Sequence, residues 1–177
     1  MIMNLEEYIA IKPNWPKKGV MFKDITPLLQ DGKAYLYTVE QMAKLALEMG
    51  AELVVGPESR GFMFACPVAT KLGVGFAPIR KKGKLPRETI EYSYELEYGI
   101  DTLCMHKDAV KKGQKVVIID DIIALGGTME AAINLVQSLG GEVVGIIALI
   151  GLTALPGVEK LKDYNLHCLM LDGVKED

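Results

Sequence analysis

Two stretches of the chain join residues able to do polar chemistry with small residues that let a ligand approach. The first is Asp120-Asp121, followed closely by Ala124-Leu125-Gly126-Gly127-Thr128. Val116 to Ile119, just before it, form the apolar run of a strand buried on both faces. From Thr128 onward, Ala132, Leu135, Val136 and Leu139 recur at helical spacing. Carboxylates accept from sugar hydroxyls, and bare N–H groups at a helix N-terminus hold an anion. Glycines let the backbone come close to that anion, and the Thr128 hydroxyl adds a donor. The combination suits a sugar phosphate. On the two aspartates alone, a helix cap with a chance acidic neighbour is an equally good reading; the Gly-Gly-Thr loop decides between them.

The second stretch is Ser59-Arg60-Gly61, at the end of one predicted strand and the start of a helical pattern. Arg60 is a fork donor suited to an anion. The plainer alternative is a Glu58–Arg60 ion pair, worth little if exposed. The run from Arg80 to Arg87, with Lys81, Lys82 and Lys84 inside it, is either a solvated loop or a mobile clamp over a polyphosphate. Nucleic acid is disfavoured as a partner, because the chain carries a net charge of -3 and the run has no interleaved aromatics. His106 and His167 pair with no nucleophile or metal-ligand spacing, and Met21, Met42, Met63 and Met129 read as core or loop fillers. Cys66, Cys104 and Cys168 match no metal or disulfide framework; Cys66 and Cys168 lie in apolar runs and are expected to be buried free thiols in a reducing compartment.

The 177 residues, half of them hydrophobic, suffice for one domain with a single core, spanning 1–177. The periodicity predicts a short helix over 4–11, an irregular surface segment to Pro27 and a long helix from Lys33 to Met49 on a Leu36, Val39, Ala43, Ala46, Leu47 stripe. A strand over 52–56, a helix ending at Gly73 and a strand over 74–79 follow, forming one βα unit; the stretch around Asp120 forms a second. Val143 to Ile150 and His167 to Leu171 supply further strands, and the polar tail 172–177 is expected to fray. Glu91 to Tyr98 alternates strictly, with Glu91, Ser93, Glu95 and Glu97 on one face and Tyr92, Tyr94, Leu96 and Tyr98 on the other. That is a half-exposed antiparallel strand, read as part of a hairpin arm projecting beside the Asp120 crevice. The fold class is therefore α/β: a central parallel sheet flanked by helices, with ligands expected outside the carboxyl ends of its strands. The first residues lack the basic region of a secretory signal, and the most hydrophobic run is too short to span a membrane, so a cytoplasmic location is expected.

The run Val116 to Thr128 resembles the phosphoribosyl-pyrophosphate (PRPP) motif of the type I phosphoribosyltransferases. Gly19 to Ile25, Ser59 to Phe62, Arg80 to Leu85 and Tyr94 to Gly99 resemble, in the same order, successive segments of the adenine-using members of that family. The resemblance implies an N-terminal hood over 1–30 that contributes to the base site and a flexible arm over 80–100. It implies transfer of the phosphoribosyl group from PRPP to N9 of adenine, giving AMP and pyrophosphate, in a cytoplasmic homodimer. Mg²⁺ is the implied cofactor, held mainly through PRPP oxygens and water. Asp120 and Asp121 would hold the ribose hydroxyls. Ala124, Leu125, Gly126, Gly127 and Thr128 would bind the 5-phosphate, chiefly through backbone N–H groups. Ser59 and Arg60 would line the pyrophosphate pocket, and Arg80, Lys81 and Lys84 would meet pyrophosphate partly across the dimer interface. Met21, Phe22 and Lys23 match the base segment, Leu152 the apolar residue on the base's other face, and Glu97 the loop carboxylate that assists proton transfer. Leu125 stands where the family usually has threonine, which removes one hydroxyl donor; weaker PRPP binding or compensation by the backbone donors is expected, without loss of activity. Gly151 replaces an often acidic residue. The alternatives are a transferase for another base, such as xanthine or hypoxanthine, and a non-catalytic PRPP-sensing regulator. The second would be expected to carry a DNA-binding segment or a strongly basic face.

Overall fold

The structure is a computed structural model that describes residues 3–95 and 100–173. Its first part is a 3-10 helix, Leu5–Tyr8, and an antiparallel ribbon of β1 (Ala10–Pro13) and β2 (Met21–Asp24). This corrects two expectations. Residues 4–11 are not one helix: the Asn4 side chain accepts from Glu6 N–H to start a single 3-10 turn, and the chain then extends. Nor is 17–27 all loop, because Phe22 lies opposite Lys12 and Lys23 opposite Ile11. That pairing joins distant residues and leaves no local period to read.

Helices α1 (Thr26–Gln30) and α2 (Gly32–Glu48) come next. Asp31 caps α2, its carboxylate accepting from the Lys33 and Ala34 N–H groups at 2.9 Å. The buried face of α2 is Ala34, Thr38, Val39, Met42, Ala43 and Ala46, whereas Leu36 and Leu47 face solvent. The expected stripe was therefore right in period and offset at both ends. Strand β3 (Leu53–Pro57), helix α3 (Arg60–Leu72) and strand β4 (Gly75–Lys81) form the first βαβ unit, with Gly73 ending α3 in the left-handed conformation at φ +68°. Strands β5 (Thr89–Glu95) and β6 (Ile100–His106) make the antiparallel arm, on which Glu91 and Ser93 are exposed and Tyr92 and Tyr94 are half-buried, as the alternation predicts. The Glu97 end of that strand lies outside the described residues. Strand β7 (Lys115–Ile123), helix α4 (Gly127–Ser138) and strand β8 (Glu142–Leu152) form the second βαβ unit; α5 (Gly157–Lys160), a 3-10 turn at Lys162–Tyr164 and β9 (Leu166–Asp172) close the described chain. The frayed tail expected beyond Asp172 falls almost wholly outside the described residues.

The main sheet has seven strands in the order β5-β6-β4-β3-β7-β8-β9. From β4 to β9 all neighbours are parallel, and the arm joins β4 through antiparallel β6. Alternation along β7 divides the core between the two faces. Val116 and Ile118 pack with α4, while Val117 and Ile119 pack with α2, α3 and the first part of the chain. The three cysteines are free thiols, but it is Cys104 that is buried; Cys66 and Cys168 are half-buried, since each lies at the margin of its element's apolar face. No described helix is long and apolar enough to cross a membrane.

Candidate active site

The chain leaves β3 toward β4 on one side and leaves β7 toward β8 on the other, although β3 and β7 are neighbours. This reversal opens a crevice at their carboxyl ends, the place where open α/β sheets bind ligands. A cavity of about 650 Å³ occupies it. Glu58, Ser59 and Arg60 reach it from the end of β3, and Asp120 to Met129 from β7, its loop and the start of α4. Tyr94 of the arm and Trp15 and Phe22 of the ribbon complete the lining.

Asp120 and Asp121 belong to β7 itself, which runs on to Ile123, so the sheet's hydrogen bonds hold their backbone. Both are buried. Asp120 Oδ1 accepts from the Asp121 N–H at 2.8 Å. Burial, reinforced by the neighbouring Asp121 carboxylate, holds the Asp120 carboxyl well above the usual carboxylate range. Burial also raises Asp121, against the pull of the Arg60 guanidinium. Arg60 Nε lies 2.9 Å from Asp121 Oδ2, yet no donor hydrogen is aligned on that oxygen, which is buried without a hydrogen-bond partner. The contact is thus an ion pair only, leaving a lone pair for a further donor. Gly61 makes this closeness possible: a Cβ there would stand 3.0 Å from Asp120 Oδ1 and 2.8 Å from Pro57 Cδ.

The loop between β7 and α4 is shaped by two glycines. Gly126, at φ +90°, turns the chain into α4. Gly157 backs the loop, donating its N–H to Ala124 O at 2.9 Å, so closely that a Cβ would fall 2.3 Å from that oxygen. The first-turn N–H groups of a helix have no intrahelical partner, and here Gly127, Thr128 and Met129 border the cavity. Together they form a donor cradle of the kind that can hold an anion. Leu125 also lines the cavity and is exposed. Tyr94 lies across the cradle. A Cβ on Gly127 would meet its ring at 3.0 Å, and its hydroxyl is 3.4 Å from Thr128 Oγ1.

Among the residues singled out from the sequence, Ser59, Arg60, Asp120, Asp121, Ala124 to Thr128 and Phe22 meet around this cavity. Others do not line it. Arg80 Nε donates to Glu58 Oε2 at 2.9 Å, Lys81 Nζ lies 3.3 Å from Asp101, and Lys84 is exposed. Glu58 therefore pairs with Arg80, not with Arg60. Met21, Lys23 and Leu152 border a separate small cavity of about 80 Å³, because successive residues of β2 face opposite ways; Lys23 pairs there with Asp172. Glu97 lies outside the described residues. Trp15, Glu58, Tyr94, Ile122, Ile123 and Met129 line the main cavity without having been expected there. Tyr94 was visible as the inward member of an alternating strand, but Trp15 carries no local signal. His106 Nδ1 lies 3.4 Å from Glu88 O and His167 Nε2 lies 3.1 Å from Asn165 Oδ1, each placed to donate to that oxygen.

A family model described as a phosphoribosyl transferase domain matches residues 29–172. The chain belongs to the phosphoribosyltransferase family. Among solved phosphoribosyltransferases, the adenine phosphoribosyltransferase of Thermoanaerobacter pseudethanolicus is 53% identical, with a TM-score of 0.91 over 95% of this chain and 99% of that one. The Saccharomyces cerevisiae enzyme, complexed with an imino-altritol bisphosphate and adenine, is 37% identical at a TM-score of 0.88, covering 93% and 96%. The Giardia lamblia enzyme, complexed with 9-deazaadenine, is 31% identical at 0.90, covering 96% and 97%. The mixed sheet with its parallel centre and flanking helices is the phosphoribosyltransferase fold.

Proposed function

We propose that this chain transfers the 5-phosphoribosyl group from PRPP to N9 of adenine, releasing AMP and pyrophosphate, as a step of purine salvage. The observation that carries the reading is the single crevice at the β3/β7 reversal. It joins a buried carboxylate pair, an anion cradle at the start of α4, a guanidinium and an aromatic ring. PRPP offers groups for the first three, and a base offers one for the fourth.

In this reading the α4 cradle, with Ala124, Leu125, Gly126, Gly127 and Thr128, takes the 5-phosphate through backbone N–H groups and the Thr128 hydroxyl. Asp120 and Asp121 accept from the ribose 2- and 3-hydroxyls; Asp121 Oδ2, ion-paired with Arg60 but without a hydrogen-bond donor, is one such acceptor. Ser59 and Arg60 take the pyrophosphate. Arg80, Lys81 and Lys84, on the strand end that Glu58 braces, add positive charge for it, in part across a homodimer interface. Phe22 stacks on the base, the backbone of Met21 to Lys23 reads its polar edge, and Leu152 covers the other face.

The C1–O bond to pyrophosphate breaks with its electron pair leaving on oxygen, and the C1–N9 bond forms from the purine lone pair. In between, positive charge develops on the ribose, next to two buried carboxylates. Preorganised charge in a water-poor site is worth far more than in bulk water. Glu97 is proposed to receive the proton that the purine loses.

Mg²⁺ fits as a guest of the substrate. Among the described residues no cluster of three or more His, Cys, Asp or Glu offers a protein-only site, while Asp121 Oδ2 is a buried oxygen ready for an Mg²⁺-bound water or a sugar hydroxyl. When bound, the ion would neutralise the leaving pyrophosphate. The proposed location is the cytoplasm, and the proposed organisation is a single domain over 1–177, with a hood over 1–30 and an arm over 80–100.

A base panel tests the reading. With PRPP and Mg²⁺, adenine should release pyrophosphate and yield AMP in equal amounts, with hypoxanthine, guanine and xanthine far slower. Turnover with xanthine or hypoxanthine and none with adenine would refute it.

A further inference from the structure

Phe22 is not the only aromatic residue at the mouth of the cavity. Trp15 lies in the turn between β1 and β2, and that turn is tied down by its own hydrogen bonds. Trp15 N–H donates to Val20 O and Val20 N–H to Lys17 O, both at 3.3 Å, and Gly19 N–H donates to Asn14 Oδ1 at 2.9 Å. The turn places the indole against Phe22, with ring centroids 4.3 Å apart and planes at 68°. On the cavity side, the Arg60 guanidinium sits 5.3 Å from the Phe22 centroid. Trp15 and Phe22 thus form an aromatic corner facing the polar groups of the site.

Burial separates two roles for such a corner. A tryptophan that served only to pack the ribbon would hide most of its surface, because indole is the largest apolar payload a side chain offers. Trp15 instead keeps 48% of its surface exposed while bordering the cavity. Its contact with Phe22 uses part of the ring system and leaves the rest open.

We propose that Trp15 is a specificity-determining wall of the base subsite, a second aromatic surface set at an angle to Phe22 that a two-ring base touches together with it. The proposal rests on the reading of this cavity as the site of PRPP and a base. A purine spans both rings of the corner, whereas a single-ring base reaches one of them. Removing the indole should therefore weaken purine binding and narrow the preference for two-ring bases. The phosphate cradle and the carboxylates, on β7 and α4, should not notice.

Trp15 is the only tryptophan of the chain, so its emission reports on this corner alone. Titration of the full-length wild type with AMP should change that emission, while ribose 5-phosphate and pyrophosphate should leave it nearly unaltered. Trp15→Ala should raise KM for adenine about 3- to 10-fold, the scale of one aromatic contact, with KM for PRPP within about twofold. Trp15→Phe should recover most of the loss. An adenine KM unchanged in Trp15→Ala, or equal rises in both KM values, would overturn the proposal, since a merely structural turn would disturb both substrates or neither. If Trp15→Ala does not fold, Trp15→Phe and the wild-type titration decide, and emission that ignores AMP sinks the idea. If another base replaces adenine in the panel, adenine specificity fails by itself, and Trp15 is judged by the same measurements on that base and its nucleotide.

Discussion

The two halves of the crevice are built in opposite ways. The half proposed for the phosphate is main chain: a strand inside the sheet, a loop pressed against Gly157 and the first turn of α4. Its carboxylates are buried and its donors are backbone groups. The half proposed for the base is side chain: an aromatic corner on a two-stranded ribbon whose hydrogen-bonded pairing is separate from the main sheet. Alternation even divides that ribbon, turning Phe22 to the crevice while Lys23 pairs with Asp172 beside a different cavity. A phosphate is the same in every nucleotide, and a rigid backbone cradle suits it. Bases differ, and side chains on a peripheral ribbon can change without moving the sheet. The two halves should therefore fail separately when altered.

The largest effect is expected where both halves depend on the same charge. Asp120→Asn together with Asp121→Asn should lower kcat/KM by roughly a thousandfold or more, the scale of losing preorganised charge at a reacting centre. Circular dichroism should show the fold intact, because Asn keeps the Oδ1 acceptor for the Asp121-position N–H. Substantial remaining turnover would separate the pair from the chemistry.

Gly157→Ala comes next. Its Cβ cannot stand 2.3 Å from Ala124 O, so the loop must shift, and a misplacement of about 1 Å can cost roughly a hundredfold in rate. The loss should appear in the use of PRPP, while the KM for adenine stays nearly unchanged. Phe22→Ala should do the reverse, raising KM for adenine about tenfold with little change for PRPP.

Leu125→Thr should gain function. A restored hydroxyl donor to a charged phosphate is worth about 1.5 kcal/mol, or roughly a tenfold lower KM for PRPP. No change would mean that the backbone cradle already satisfies the phosphate.

The smallest effect concerns stability. Burial raises the Asp120 carboxyl, so its ionised form opposes folding. The wild type is relieved of that penalty below the unfolded carboxyl range, near pH 4, and bears it increasingly as pH rises through the raised native value. Asp120→Asn removes it, and should raise Tm at neutral pH by about 2–4 °C, a gain of about 1 kcal/mol that vanishes in acid. Thermal melts across pH check the sign.

The same contrast governs what could be read from the sequence. The phosphate half is contiguous from Val116 to Thr128, so its strand, acids, glycines and helix start announce themselves in order. Even there the strand proved longer than its apolar run, because ladder bonds carry β7 through Asp120 and Asp121 to Ile123. The β1–β2 ribbon has no such signal, since pairs such as Lys12 with Phe22 are ten residues apart and leave no periodic trace. Ion pairs were harder still. Glu58 and Arg60 are neighbours in sequence, yet each finds its partner on another strand, in Arg80 and Asp121. Resemblance to the family supplied the base segment as a block, but only the alternation of β2 shows that its side chains serve two cavities.

The separation of the two halves is tested most directly by one crossed measurement: KM for PRPP and KM for adenine in Gly157→Ala and in Phe22→Ala. Gly157→Ala should impair PRPP use and spare the KM for adenine, while Phe22→Ala should raise the KM for adenine and spare PRPP. Equal impairment of both substrates by both variants would contradict that separation.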